Sequence, residues 1–161
     1  MTILPHGLPA IMATYGAPLQ FVNDKAAWEA QTLVTRNLVI PLPYAYGPAT
    51  ITRIRAHWLV ADLFVEFLAK AAERTASDLT RIAYGGCYCW RAMRGGSGRL
   101  STHTWGIAID LDPARNALGM AWDSGVGLPA PVVELAEAMG LVWGGRWTRP
   151  DAQHLQVAGG Y

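Results

Sequence analysis

The sequence is short of charge. Only 16% of its 161 residues are Asp, Glu, Lys or Arg, against roughly 25% in an average globular chain. Basic and acidic residues nearly cancel, 13 against 12 for a formal net charge of +1. The basic excess that displaces counterions from a phosphate backbone is therefore missing, and no nucleic-acid partner is expected. Long apolar runs are missing too, although 52% of the residues are hydrophobic. None reaches the ~18 residues needed to span a bilayer; the best, Leu59 to Ala72, is broken by Asp62, Glu66 and Lys70. Membrane insertion is not expected. The first residues, MTILPHGLPAIMA, carry no Lys or Arg and two prolines, a poor signal peptide, so synthesis in the cytoplasm without one is the expectation. Cysteine is reduced to Cys87 and Cys89. Two residues apart on a strand their Cα atoms would lie about 6.6 Å apart, near the limit of disulfide geometry, so a bond between them is disfavoured, and a metal site built from the two thiolates is not expected.

What is present suits a globular protein. The apolar fraction is too high for a disordered chain, and the length matches a single domain over 1–161. No repeat or linker divides it. A short helix is predicted from Asp24 to Val34, capped by Asn23 or Asp24 and anchored by Trp28. Pro41, Pro43 and Pro48 enforce an extended passage after it. The clearest helix is predicted from Ile54 to Arg74, with Arg55, Asp62, Glu66, Lys70 and Glu73 on one polar stripe and an apolar remainder that includes Trp58. A shorter one spans Ala130 to Met139, with Pro131 in its first turn. Strand-like pieces are Arg81 to Trp90, Gly106 to Leu111, Leu141 to Trp143 and His154 to Ala158. The prediction is α+β: a helical part over about 1–80 and a small, mostly antiparallel sheet over about 81–161, flanked by helices.

The chemistry-bearing residues are few. His6 sits in a proline-rich terminus and receives no role. His57 falls on the apolar side of the predicted long helix, as a hydrogen-bonded core histidine would. His103 and His154 differ, because carboxylates accompany them. His103 leads into an apolar strand that delivers Asp110 at its far end, and His154 follows Asp151 by three residues. Two imidazoles and a carboxylate suit zinc, which in catalytic sites takes three protein ligands and keeps a fourth position for water. An adjacent unliganded acid, Asp151, is placed to move a proton. Asp112 rivals Asp110 as the ligand, but it precedes Pro113 and resembles a turn initiator. The same residues also fit ordinary strand-end and cleft positions.

The pattern Ser101-x-His103-x-x-Gly106-x-Ala108-x-Asp110, followed some forty residues later by Asp151-x-x-His154, resembles the D-alanyl-D-alanine carboxypeptidase and L-alanyl-D-glutamate endopeptidase family. These zinc peptidases of bacterial cell-wall peptide include many phage endolysins. Trp143-Gly144-Gly145 is typical of the family as well, and Tyr84-Gly85-Gly86 with Trp90-Arg91 resembles its upstream arginine segment. The likeness covers about Ala83 to Val157. It implies a hedgehog-like D-alanyl-D-alanine-peptidase fold, with His103, Asp110 and His154 as zinc ligands and Asp151 as general base. Arg91, or Arg94 in competition with it, would stabilise the oxyanion or hold a substrate carboxylate. Ser101 would orient the site or touch substrate, and Trp105 and Trp143 would wall the groove or pack. Gly95-Gly96-Ser97-Gly98 lacks the context of a phosphate loop and is expected to form a mobile lip of the cleft. The implied substrate is the peptidoglycan stem peptide and the implied cofactor Zn2+. A monomer acting at the cell wall or within a virion is expected. An L-alanyl-D-glutamate bond is favoured over a D-alanyl-D-alanine bond, and a non-catalytic phage structural protein keeping the fold is the alternative from another class.

Overall fold

In a computed structural model of the chain, residues 4–75, 77–94 and 98–161 are described. The elements run α1 (Gly7–Tyr15), α2 (Lys25–Thr32), β1 (Leu33–Pro43), β2 (Thr50–His57), α3 (Ala61–Arg74), β3 (Tyr84–Gly86), β4 (Ala108–Leu111), α4 (Ala130–Ala138), β5 (Val142–Trp143) and β6 (His154–Gln156). Single 3-10 turns lie between several of them. β1 and β2 form a two-stranded antiparallel ribbon, and a second antiparallel sheet has the order β3-β4-β6-β5. The architecture is α+β, as the sequence predicts. Among the described residues no helix is long and apolar enough to cross a membrane.

Two predicted elements are corrected. The helix expected from Ile54 begins only at Ala61. Residues 50–57 are strand, because Ile54 and Ala56 point inward while Arg53 and Arg55 point out, a period of two rather than 3.6. Trp58, assigned to the apolar helix face, lies in the connecting turn and is 53% exposed. The part over 1–80 is thus not simply helical: its centre is the β1–β2 hairpin. Strand structure predicted over Arg81–Trp90 is confined to Tyr84–Gly86, preceded by a 3-10 turn over Leu79–Ile82 that Asp78 caps through its carboxylate. The predicted helices at Asp24 and Ala130 are present, and α1 is an addition for which the sequence carried no prediction.

The core joins these parts. α3 buries Phe64, Phe67, Leu68, Ala71 and Ala72 against the hairpin and α4, while Asp62 pairs with Arg36 and Lys70 with Glu66 at its surface. Deleting a buried ring such as Phe64 would cost about 3–5 kcal/mol. β4 is central in its sheet, so Ile107, Ala108, Ile109 and Leu111 are all fully buried, an apolar stretch interrupted only by Asp110. Two indoles tie the N-terminal elements to the turn before β4: Trp28 Nε1 donates to the Thr104 carbonyl (3.2 Å) and Trp105 Nε1 to the Gly16 carbonyl (2.8 Å). At the same end of the sheet, Tyr15 Oη donates to the Val157 carbonyl (3.0 Å), and Pro5 and Gly7 exchange backbone hydrogen bonds with Gly159.

Candidate metal centre

His103 lies in a one-turn 3-10 helix, Thr102–Trp105, whose first residue follows the capping hydroxyl of Ser101. Gly106 ends this turn in a left-handed conformation (φ +68°), and a Cβ there would meet the His57 amide and Leu33 at 2.9 Å. The motif's glycine is therefore demanded twice, by backbone angle and by the close approach of β2. From that turn β4 runs to Asp110, whose register partner on the antiparallel β6 is His154. Register thus sets a carboxylate and an imidazole opposite each other, and the turn swings the second imidazole onto them.

The three side chains converge. His103 Nε2 is 3.1 Å from Asp110 Oδ1 and 3.2 Å from His154 Nδ1, and His154 Nδ1 is 3.0 Å from the same Asp110 oxygen. The remaining ring nitrogens decide what these atoms are. His103 Nδ1 donates to the Cys87 carbonyl at 2.5 Å. His154 Nε2 donates to Gln156 Oε1 at 2.9 Å, and that amide is oriented by its own Nε2 donating to the Ala158 carbonyl. Thr102 Oγ1 donates to Gln156 Oε1 as well. Because a carbonyl oxygen only accepts, each neutral imidazole spends its hydrogen outward and turns a bare lone pair inward. Three acceptor atoms 3.0–3.2 Å apart repel unless a proton or a cation lies among them. Their spacing approaches the edge of about 3.3 Å expected for N and O ligands on tetrahedral zinc, and the donor set fits that metal.

Burial sharpens the demand. His103 and His154 are 3% and 6% exposed. Burial alone would raise the Asp110 carboxyl, but His103 and His154, through the positive charge they carry when protonated and through hydrogen bonds, outweigh it and hold it well below the usual carboxylate range. Burial alone would lower the His154 imidazole, yet Asp110 outweighs it and raises the pKa.

Two clefts open onto the group and share Asp110, Arg91 and Arg94. One, of about 160 Å³, holds His154, Asp151, Ser101, Trp147 and Arg149. The other, of about 590 Å³, holds His103 and a ring of tyrosines. Asp151 sits in a tight turn, its amide donating to the Gly144 carbonyl, where a Cβ on residue 144 would come within 2.6 Å of the Asp151 carbonyl. This accounts for glycine in Trp143-Gly144-Gly145. Asp151 Oδ1 accepts from Gln153 Nε2 at 2.9 Å, and the carboxylate stays outside the converged triad.

Each residue singled out in the sequence can now be placed. His103, Asp110 and His154 come together, with Asp151, Ser101, Arg91 and Arg94 around the clefts. Trp105 does not reach a cleft: it is buried, bonded to Gly16 and set edge-on to Tyr161. Trp143 is likewise packed, on Trp122, with its indole nitrogen on the Ala152 carbonyl. Asp112 turns away with φ +46° and binds Arg115 and Asn116, a turn residue rather than a ligand. Cys87 is buried and Cys89 exposed, both free. His57 is a core histidine, on strand β2 instead of a helix. Of the glycine-rich lip, Gly95, Gly96 and Ser97 lie outside the described residues. Sequence reasoning missed Trp147, whose ring lies 5.4 Å from that of His154, and Arg149, two residues before Asp151. It also missed Tyr44 and Tyr46, which lie some sixty residues from the first histidine and join it only through the hairpin.

No curated protein and no solved structure is significantly similar to the chain. Residues 94–157, less than half of its length, match the family model described as D-alanyl-D-alanine carboxypeptidase. That stretch contains His103, Asp110, Asp151 and His154 and leaves the hairpin outside. The resemblance carried by the two motifs is thereby supported over the segment that builds the converged triad.

Proposed function

We propose that the chain is a zinc-dependent peptidase of the peptidoglycan stem peptide, working as an L-alanyl-D-glutamate endopeptidase in a phage-type lysis role. The observation that carries the reading is the inward convergence of three lone pairs whose outward partners fix both imidazole tautomers. His103 Nε2, Asp110 Oδ1 and His154 Nδ1 would hold the metal, which when bound supplies Lewis acidity toward a carbonyl and acidifies a water. The protein's own groups do the rest. Asp151 keeps one oxygen on Gln153 and the other free. The free oxygen accepts a proton from the attacking water and returns it to the amide nitrogen as the C–N bond breaks, giving one carboxylic acid and one amine. Arg91 and Arg94, which among the described residues form no ion pair, face the space where an oxyanion or a substrate carboxylate sits.

Endopeptidase action is favoured because clefts extend on both sides of Asp110, so that chain can continue past the scissile bond in each direction. A carboxypeptidase is the second reading, favoured by the description of the matching family model and by the smaller volume of the Asp151 cleft. In either case the protein acts as a monomer at the cell wall.

The test is Asp151→Asn, measured for bound zinc and for clearing of permeabilised Gram-negative cells. The variant is expected to keep its zinc and lose about 10²–10⁴ in rate; a fully active variant overturns the role of Asp151. Masses of the released fragments then separate the two bonds.

A further inference from the structure

The larger cleft has an unusual wall. Ligand pockets are lined mainly by hydrophobic side chains, but no Leu, Ile, Val, Met or Phe contributes to this one. Its aromatic surface comes from four phenol rings, Tyr44, Tyr46, Tyr84 and Tyr88, set among glycines, the two cysteines and arginines. The hairpin builds half of it. The Ala45 amide donates to the Tyr84 carbonyl (3.0 Å), Tyr44 pairs with Tyr84 across an isolated bridge, and Tyr44 and Tyr46 sit edge to face at 5.5 Å. Tyr46 remains 61% exposed at the mouth. A surface of aromatic faces carrying hydroxyls matches a ligand with C–H faces and many hydroxyls, uncharged and ring-shaped, better than it matches an aliphatic side chain.

The position of Asp151 orients the substrate. It lines only the smaller cleft. The group that protonates the departing nitrogen must lie on that nitrogen's side, so the amine half occupies the smaller cleft and the acyl half the tyrosine cleft. The smaller cleft is also the one that adds Arg149 to Arg91 and Arg94, a charge set suited to the carboxylates of an acidic amine half. In peptidoglycan the acyl end of the stem is joined to an N-acylated amino sugar of the glycan strand. We infer that the tyrosine cleft, roofed by the hairpin, binds this amino sugar, so that the enzyme selects stem peptide still attached to glycan. The inference rests on the peptidase reading given above, and its sugar component can be tested apart from it.

Two measurements decide. The first is calorimetric binding of the N-acetylglucosamine trimer, which contains no peptide, to the wild-type protein and to Tyr46→Ala. Binding that weakens about tenfold in the variant supports the sugar site, whether or not any hydrolysis is detected. The second compares kcat/KM on glycan-linked and free stem peptide. A wild-type preference of about tenfold or more for the linked substrate, reduced by Tyr46→Ala, is expected. Equal kcat/KM on both substrates with no trimer binding overturns the sugar site and leaves the peptidase reading standing. Hydrolysis of neither substrate, with trimer binding retained, overturns the peptidase reading alone. An Arg149→Ala variant should bind the trimer as the wild type does; loss of trimer binding there would place the sugar in the wrong cleft.

Discussion

His57 and the pair His103 and His154 are buried to nearly the same degree, at 2%, 3% and 6% exposure, and are chemically unlike. Around His57 both ring nitrogens are used by backbone: Nε2 donates to the Tyr15 carbonyl at 3.2 Å, and Nδ1 accepts from the Leu59 amide at 3.2 Å. Nothing is left over, and the ring is a bracket between α1 and the turn into α3. Around His103 and His154 the outward nitrogens are satisfied equally well, but the inward ones face each other and Asp110. Burial therefore does not separate a structural histidine from a ligand. The direction of the unspent lone pair does.

The largest effect should come from exchanging the roles in this comparison. His103→Ala is expected to abolish both zinc retention and cell clearing with the fold intact by circular dichroism. His57→Phe is expected to retain zinc and to lose roughly 1–3 kcal/mol of stability, because the Tyr15 carbonyl and the Leu59 amide lose their partner. Full zinc occupancy in His103→Ala would break the distinction at once. A smaller effect is expected one shell out. Gln156→Leu removes the acceptor that fixes the His154 tautomer, and zinc affinity in a competitive chelator titration should drop about 10–100-fold; an unchanged affinity would mean the tautomer is fixed otherwise.

The smallest effect is a matter of pH. Burial lowers the His57 pKa to about 4 from 6.5, against a weaker opposing contribution from the Tyr15 carbonyl. The folded state thus binds fewer protons than the unfolded one between these values, so the stability contributed by neutral His57 is complete above about pH 6.5 and is lost as pH falls through about 4. Denaturant midpoints of His57→Phe should be flatter with pH across that window than those of the wild type; parallel curves would remove His57 as the titrating group.

Much of the candidate metal centre was legible in the sequence because its residues fall in two short, local patterns. A 3-10 turn, a strand and one antiparallel partner are enough to assemble His103, Asp110 and His154, and each leaves a mark: Ser101 as cap, Gly106 as turn, an apolar run as central strand. Asp151 was legible by its spacing from His154. The surroundings were not, for a different reason in each case. Tyr44 and Tyr46 reach the site through a hairpin that the sequence presents only as an extended passage set by Pro41, Pro43 and Pro48. The alternation of β2 was masked because Arg55 happens to lie seven residues before Asp62, which imitates a helical stripe. Trp105 beside the motif histidine suggested a cleft wall, and only the carbonyl of Gly16 reveals its use in the core.

The hydrogen bonds that bind Val157 and Gly159 to Tyr15, Pro5 and Gly7 have a kinetic consequence. They close over 142 to 154 residues of sequence and hold the stretch that continues directly from His154. Contacts of such separation form slowly, since the chain between them must first be ordered. Asp110 and His103 can meet within a few residues of each other, and His154 joins them through the pairing of β4 and β6. The chain just beyond β6, however, is pinned to the N-terminal elements only when both extremes of the described chain have met. The strand that carries His154 is thus clamped late in folding, and a partly folded chain would hold that side of the candidate site less firmly than the side of His103.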